Sequence, residues 1–249
     1  FSVGDTVSAK DGGNFAGNVA MAGTLGVTGA LTGTTGTFTG VVQATDDIGN
    51  SFNQFYALGD GNVGGIRFGN TTATNGFIYY DNGSNMNFHS AGVEHMRISS
   101  IGAVTKPLQP AFLVTPNAAQ NNIAVGSQVD IVFGNEVYDV GSNFASNAFT
   151  APVTGKYQLN GRVRLGAVHQ PSAYYTMRIT TSNRVYEQIF DSNENSNGNL
   201  DYHPFEVSTV ADMDASDTAK IQIYQNSGTQ ETDIEAGTNN TQFSGFLAC

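Results

Sequence analysis

The sequence predicts an all-β protein in three parts: a trimeric β-fibre shaft over residues 1–40, a small β-meander over 41–106, and a sandwich head over 107–249. Three observations predict it. Tyr157, Leu159, Gly161, Val163, Leu165 and Ala167 alternate with Lys156, Gln158, Asn160, Arg162 and Arg164, a period of two that sends one set to a core and the other to solvent. Gly17, Gly23 and Gly29 recur every six residues, with apolar residues in fixed places between them. Turn dipeptides separate short apolar runs, and few segments carry a 3.6-residue period, so almost no helix is expected.

Composition narrows the function classes. The 249 residues carry 10 Lys and Arg against 21 Asp and Glu, a net charge of −11. Phosphate contacts need clustered Lys and Arg, which here are scattered, so nucleic acid is excluded as a partner. No apolar run approaches the roughly 20 residues of a membrane helix, so no membrane insertion is expected. Cys249 is the last residue and the only cysteine. With no partner for an intrachain disulfide, stability must come from packing or assembly. The chain opens at Phe1 without a methionine or a signal-like stretch, which reads as a processed product or a fragment.

In the shaft, Val19, Leu25 and Leu31 share one place in the six-residue repeat, and Met21 and Val27 share another. One such repeat cannot bury its apolar face alone. Three chains wound together would bury those positions on a common axis, with glycine allowing close backbone approach. A Gly/Thr linker is the alternative, and the regular apolar places weigh against it. Residues 41–106 then break into Ser51–Leu58, Gly65–Phe68, Gly76–Tyr80, Met86–His89 and His95–Ile98. Asp60-Gly61, Asn75-Gly76 and Asn82-Gly83 are hairpin dipeptides, so these runs read as a meander of short strands.

Lys106-Pro107-Leu108-Gln109-Pro110 interrupts any ladder twice and marks the head boundary. Strands are expected at Ala111–Val114, Gln128–Phe133, Gly155–Val168, Ala173–Thr181, Arg184–Phe190, His203–Val210, Ala219–Gln225 and Thr241–Leu247. Pro152 cannot donate to a ladder and Gly155 permits a turn, so one strand ends and another begins between Phe149 and Tyr157.

Phe149, Gly155 and Tyr157 are spaced as in the C1q-like globular head, a ten-stranded jelly roll, and Phe243-Ser244-Gly245-Phe246-Leu247 resembles that family's last core strand. Tyr138-Asp139 is similar to its tyrosine before a turn, and Ala215-Ser216-Asp217-Thr218 to its Gly-Asp pair, with Ser216 in place of the glycine. Leu159 and Gly161 stand where animal members carry aromatics. Upstream, Gly23–Gly29 resembles the "GTLxVTG" shaft repeats of bacteriophage tail fibres, and Val93–Val104 the "ERMRI" segment that precedes their terminal domains.

The combined resemblance implies a homotrimeric, extracellular virion protein at the distal end of a tail fibre. Its partners would be a host cell-surface saccharide or outer-membrane protein, and an upstream tail or baseplate protein on the N-terminal side. Head-decoration or spacer fibre, and bacterial surface adhesin, are the alternatives.

Candidate chemistry is sparse. His89, His95, His169 and His203 have no zinc spacing, and HExxH, GxSxG and phosphate-loop motifs are absent from the sequence. Asp191 with Glu194, or Asp212 with Asp214, would be the carboxylate pair of a glycan depolymerase. The loops suit adhesion better, since amides, carboxylates and tyrosines match sugar hydroxyls and the flat face of a pyranose. His169, Tyr174, Tyr175, Asn195, Asp201, Tyr202, His203 and Asn239 are the expected receptor contacts. Asp201, Asp233 or Glu235 would supply oxygen ligands were calcium bound; no other cofactor is expected.

Overall fold

A computed structural model describes residues 64–68, 76–81, 83–194, 198–237 and 239–249. The shaft repeats, the Ser51–Leu58 run, Asp60-Gly61 and Asn195 lie outside the described residues. Those described form an all-β protein, without α-helix among them and with one short 3-10 turn at Ser192–Glu194.

The first strands are β1 (Gly64–Phe68), β2 (Gly76–Tyr80), β3 (Met86–Ser90), β4 (Val93–Ile98) and β5 (Val104–Thr105). They pair in chain order as one antiparallel meander, the arrangement the short runs predict. Gly83 and Ser84 make the turn into β3, and Asp81 locks it by accepting from the Asn85 backbone (3.0 Å) and from the Asn85 and Asn87 side chains. Gly76 opens β2 instead of turning into it.

The head adds β6 (Ala111–Thr115), β7 (Gln128–Asp130), β8 (Asn135–Asp139), β9 (Phe144–Ala145), β10 (Ala148–Thr150), β11 (Gly155–Val168), β12 (Tyr175–Thr181), β13 (Val185–Phe190), β14 (Leu200–Met213), β15 (Thr218–Gln225), β16 (Asp233–Ile234) and β17 (Gln242–Leu247). One sheet runs β14-β11-β17-β6-β8, with β16 also on β11. The other runs β13-β12-β15-β10-β9, with β7 also on β15. All of their ladders are antiparallel. The chain crosses between sheets at β6 to β7, β7 to β8, β8 to β9, β10 to β11, β11 to β12, β13 to β14, β14 to β15 and β15 to β16, which is the winding of a jelly roll.

Between the sheets lies an aromatic cluster. The Phe112 ring is 4.6 Å from Phe149, 4.9 Å from Phe243 and 5.5 Å from Phe144, so both sheets contribute to one stack. Each such pair adds roughly 0.5–1.5 kcal/mol beyond the area it buries. Phe149 and Tyr157 are both fully buried with rings 5.4 Å apart, and the Tyr157 hydroxyl donates to the Val153 carbonyl at 2.7 Å. That bond satisfies the hydroxyl and fixes the chain entering β11.

Gly155 corrects one expectation. It opens β11 without a left-handed φ. A Cβ there would meet Leu247 Cδ1 at 2.6 Å and the Cys249 carbonyl oxygen at 2.7 Å, so the glycine admits the C-terminal segment. Lys156 N–H donates to that same oxygen at 2.7 Å. Gly161, where an aromatic was absent, would push its Cβ to 2.6 Å from Met177 and 2.7 Å from Ile221: the volume is already filled from the opposite sheet. Ser216 sits at φ +77°, a left-handed conformation that glycine adopts freely and serine does not.

The two outward faces differ. On the β12–β15 side a row reads Glu187, Arg178, Gln222, Asp130, crossed by the Arg178–Glu187 pair at 2.7 Å and the Lys220–Asp130 pair at 2.9 Å. On the β11–β17 side two central rows hold no charge: Tyr138, Leu113, Ser244, Asn160, Ser208, and Ala111, Phe246, Gln158, Val210. Gln158, Asn160 and Ser208 satisfy one another there, while Tyr138, Phe246 and Val210 stay about half exposed.

Candidate functional site

β11 and β14 start and end together, so Val168 and Leu200 mark one end of the sandwich and Gly155 and Met213 the other. Four segments gather at the Val168 end: 116–123, 169–174, 191–194 with 198–199, and 226–237 with 239–241. The alternation that places Ala167 inward fails at this point. Ala167 takes a φ of +46° and is exposed, which flips the phase and sends Val168 into the core. The chain then leaves the sheet at His169.

His169 is the hub of the loops. Its backbone N–H donates to the Tyr175 hydroxyl at 3.0 Å, and that hydroxyl lies 2.8 Å from the Thr232 hydroxyl. Thr229 N–H donates to the ring Nδ1 at 3.2 Å. In the neutral ring the proton is therefore on Nε2, which faces Glu231 Oε1 at 3.9 Å. Asn199 donates to the same Oε1 at 2.8 Å and accepts from Gln170 N–H at 2.9 Å. Ala173 N–H donates to Ser227 Oγ at 3.1 Å, and Gln170 Nε2 to the Asn193 carbonyl at 3.2 Å. Asp233 accepts Asn122 N–H at 2.7 Å, which ties in the first loop. Gly228, at φ +96°, leaves room for the imidazole: a Cβ would lie 2.1 Å from Nδ1.

The sequence candidates divide. Tyr175 faces the core and is fully buried, so it anchors the loops and touches no receptor; burial pushes its hydroxyl pKa up, with the Thr232 bond partly opposing that. His203 also points inward, its ring stacked 3.7 Å from Phe190 and edge-on to Phe205 at 4.9 Å. It plugs the open edge between the sheets, and burial lowers its pKa. Both misreadings have one cause, since a polar aromatic in a loop-flanked stretch gives no sign of which face it takes until strand phase is known.

Asp201 is exposed, and Tyr202 is exposed with the Arg164 guanidinium 4.7 Å above its ring. Asn239 is exposed on a turn closed by the Asn240 N–H to Gly237 carbonyl bond at 3.0 Å. Tyr174 is half-buried with its ring 5.9 Å from that of Tyr224. Tyr224, Asn199, Thr229 and Ser227 were not among the sequence candidates. Only Tyr224 left a signal, an aromatic at an outward place in an alternating strand.

The calcium reading finds no set of ligands. Asp233 is spent on Asn122, and Glu235 lies 3.8 Å from Arg164. Among the described residues no three His, Cys, Asp or Glu converge as a metal site. The depolymerase carboxylates fare no better. Asp212 is paired with Lys156 at 2.5 Å at the far end of the sandwich, and its pKa is lowered by that hydrogen bond and charge. Asp191, just before the 3-10 turn, and Glu194, its last residue, are both exposed. What the loop end offers is a cross-braced polar surface, suited to binding.

Strand order and the loop end together define the class, a two-sheet jelly-roll head. Solved structures similar to it include the globular domain of zebrafish complement 1qA protein, at 16% identity over 57% of this chain and 98% of that one, TM-score 0.41. Murine APRIL at pH 8.0 matches at 12% identity over 56% of this chain and 98% of that one, TM-score 0.42. No protein-family model and no curated protein sequence matches the chain.

Proposed function

We propose that this chain is the receptor-binding end of a bacteriophage tail fibre, a homotrimeric tip that adheres through its head loops without doing chemistry. The observation that carries the reading is the loop end. Four segments are braced by hydrogen bonds between their own side chains and backbones, a stiff support for half-buried Tyr174 and exposed Asn239, with exposed Asp201 and Tyr202 beside them at the start of β14. Pre-ordered loops lose little entropy on binding, which suits a reversible adhesin. The ligand is a saccharide or a protein of a bacterial surface.

Trimerisation fits the uncharged rows of the β11–β17 face, which are rimmed by the Lys156–Asp212 and Arg162–Glu206 pairs. A neutral centre with a charged rim is how protein interfaces are usually built. Three sites on one fibre multiply a weak affinity. Immuno-electron microscopy of intact particles tests the placement: label at tail-fibre ends supports it, and label on the head shell or only on cells removes it. Sedimentation equilibrium tests the assembly, and a monomer mass refutes it.

A further inference from the structure

Tyr224 lies on the outward face of β15 beside Thr176 of β12 and Gln128 of β7, and Ile189 of β13 completes the row. Tyr174, two residues before Thr176, is diagonal to Tyr224, and the two rings stand 5.9 Å apart with 37° between their planes. Asn226 reaches the Tyr224 hydroxyl at 3.4 Å. Two polar atoms of this row have no partner: Thr176 Oγ1, on a side chain only 2% exposed, and Gln128 Oε1. A buried hydroxyl without a bond is costly, and such atoms cluster where something else completes them. Ile189, beside Thr176 at the edge of the row, is 59% exposed.

We infer that this shoulder, just below the loop end, binds one ring of a neutral pyranoside, stacked on Tyr174 and Tyr224. Two splayed tyrosines match the apolar C–H face of a pyranose, and the Gln128, Thr176 and Asn226 side chains supply acceptors and donors for its hydroxyls. The charge state of the ligand follows from the neighbouring row. Arg178, Glu187, Lys220 and Asp130 are paired with one another, so no free cation waits for an acidic sugar and no free carboxylate for an amine. The inference takes its purpose from the adhesive reading above, but its chemistry stands on this row alone.

Saturation-transfer NMR on the full chain tests it, with the methyl glycosides of glucose, galactose and mannose as probes at about 10 mM, the range where single-ring affinities fall. Transfer to ring protons of at least one glycoside is expected. Tyr174→Ala and Tyr224→Ala should each cut it about fivefold, while Tyr224→Phe, which keeps the ring, retains most of it. Absence of transfer from all three, or transfer indifferent to both alanine variants at unchanged melting temperature, overturns the inference. Binding of labelled protein to bacterial cells separates the two readings. Cell binding that the alanine variants leave intact, together with absent transfer, removes the pyranoside site and spares adhesion; transfer to a glycoside without cell binding keeps the site and removes adhesion.

Discussion

The β12–β15 face is laced and the β11–β17 face is bare, though both are outward sides of the same sandwich. On the first, Glu187–Arg178 and Asp130–Lys220 cross neighbouring strands, and Gln222 donates to Asp130 at 2.7 Å. Such pairs add little stability at the surface, but they keep a face wet and unattractive to copies of itself. On the second, two rows of Tyr, Leu, Phe, Val and neutral amides run the width of the sheet with charges only above and below. The contrast teaches that similar alternating strands can differ wholly in their outward residues, one face charged and paired, the other neutral and the one that the proposed trimer would cover.

The largest expected effect breaks the bare face. Val210→Glu with Phe246→Glu places carboxylates in the uncharged rows, where an interface would leave them buried and unpaired. Sedimentation should show association weakened at least about 100-fold, each such charge costing on the order of 3 kcal/mol. Unchanged trimer mass in that variant would assign the interface elsewhere.

Gly228→Ala sharpens the contrast at the loop end, which belongs to neither face. Both the φ of +96° and the approach to His169 resist a Cβ, so a local cost of about 1–3 kcal/mol is expected. Hydrogen exchange should speed up in 169–174 and 226–232 while the core strands stay protected.

His203 tests the seam where the two sheets face one another at their open edge. Its folded pKa is depressed below the ordinary 6.5, so the unfolded chain takes up the proton more readily than the folded one. Stability should therefore fall as pH drops through 6.5 and level off once the folded ring is protonated too. His203→Phe keeps the stack on Phe190 and should flatten that slope in thermal melts.

The smallest effect lies on the laced face. Arg178→Ala should cost only about 0.2–1 kcal/mol in chemical denaturation and leave the assembly mass unchanged. A loss several times larger would mean that this face, too, is covered.

Much of the fold was legible because strand period is a local signal. The limits expected for β11 are the observed Gly155–Val168, and Ala111–Val114, Arg184–Phe190, Ala219–Gln225 and Thr241–Leu247 fall within a residue of their strands. β14 is longer than expected at both ends, running Leu200–Met213, because its pairing with β11 carries it past the apolar core of His203–Val210. Gln128–Phe133 pairs only as far as Asp130, and Ala173–Thr181 begins at Tyr175. The two-residue β9 and β16 are too short to show a period; β9 closes a tight hairpin with β10, and β16 is ordered by β11, about 70 residues earlier in the chain. The candidate site was legible as loops and illegible as side chains: Tyr174 and Tyr175 are neighbours, yet one is half-buried on the outward face and the other fully buried in the core.

By itself, then, the sequence determined the class: all-β, acidic, without a helix-type run long enough to span a membrane or a zinc spacing in its motifs, and with a core on the Tyr157 side of β11. Periodicity, turn chemistry and composition act between residues a few places apart, so they survive in one dimension. Only the tertiary structure decided that Gly155 makes way for Cys249, that His169 is held by Thr229 and Tyr175, and that Tyr224 meets Tyr174. Those contacts join residues from 6 to 94 places apart, and nothing local in the chain encodes which strands the jelly roll brings side by side.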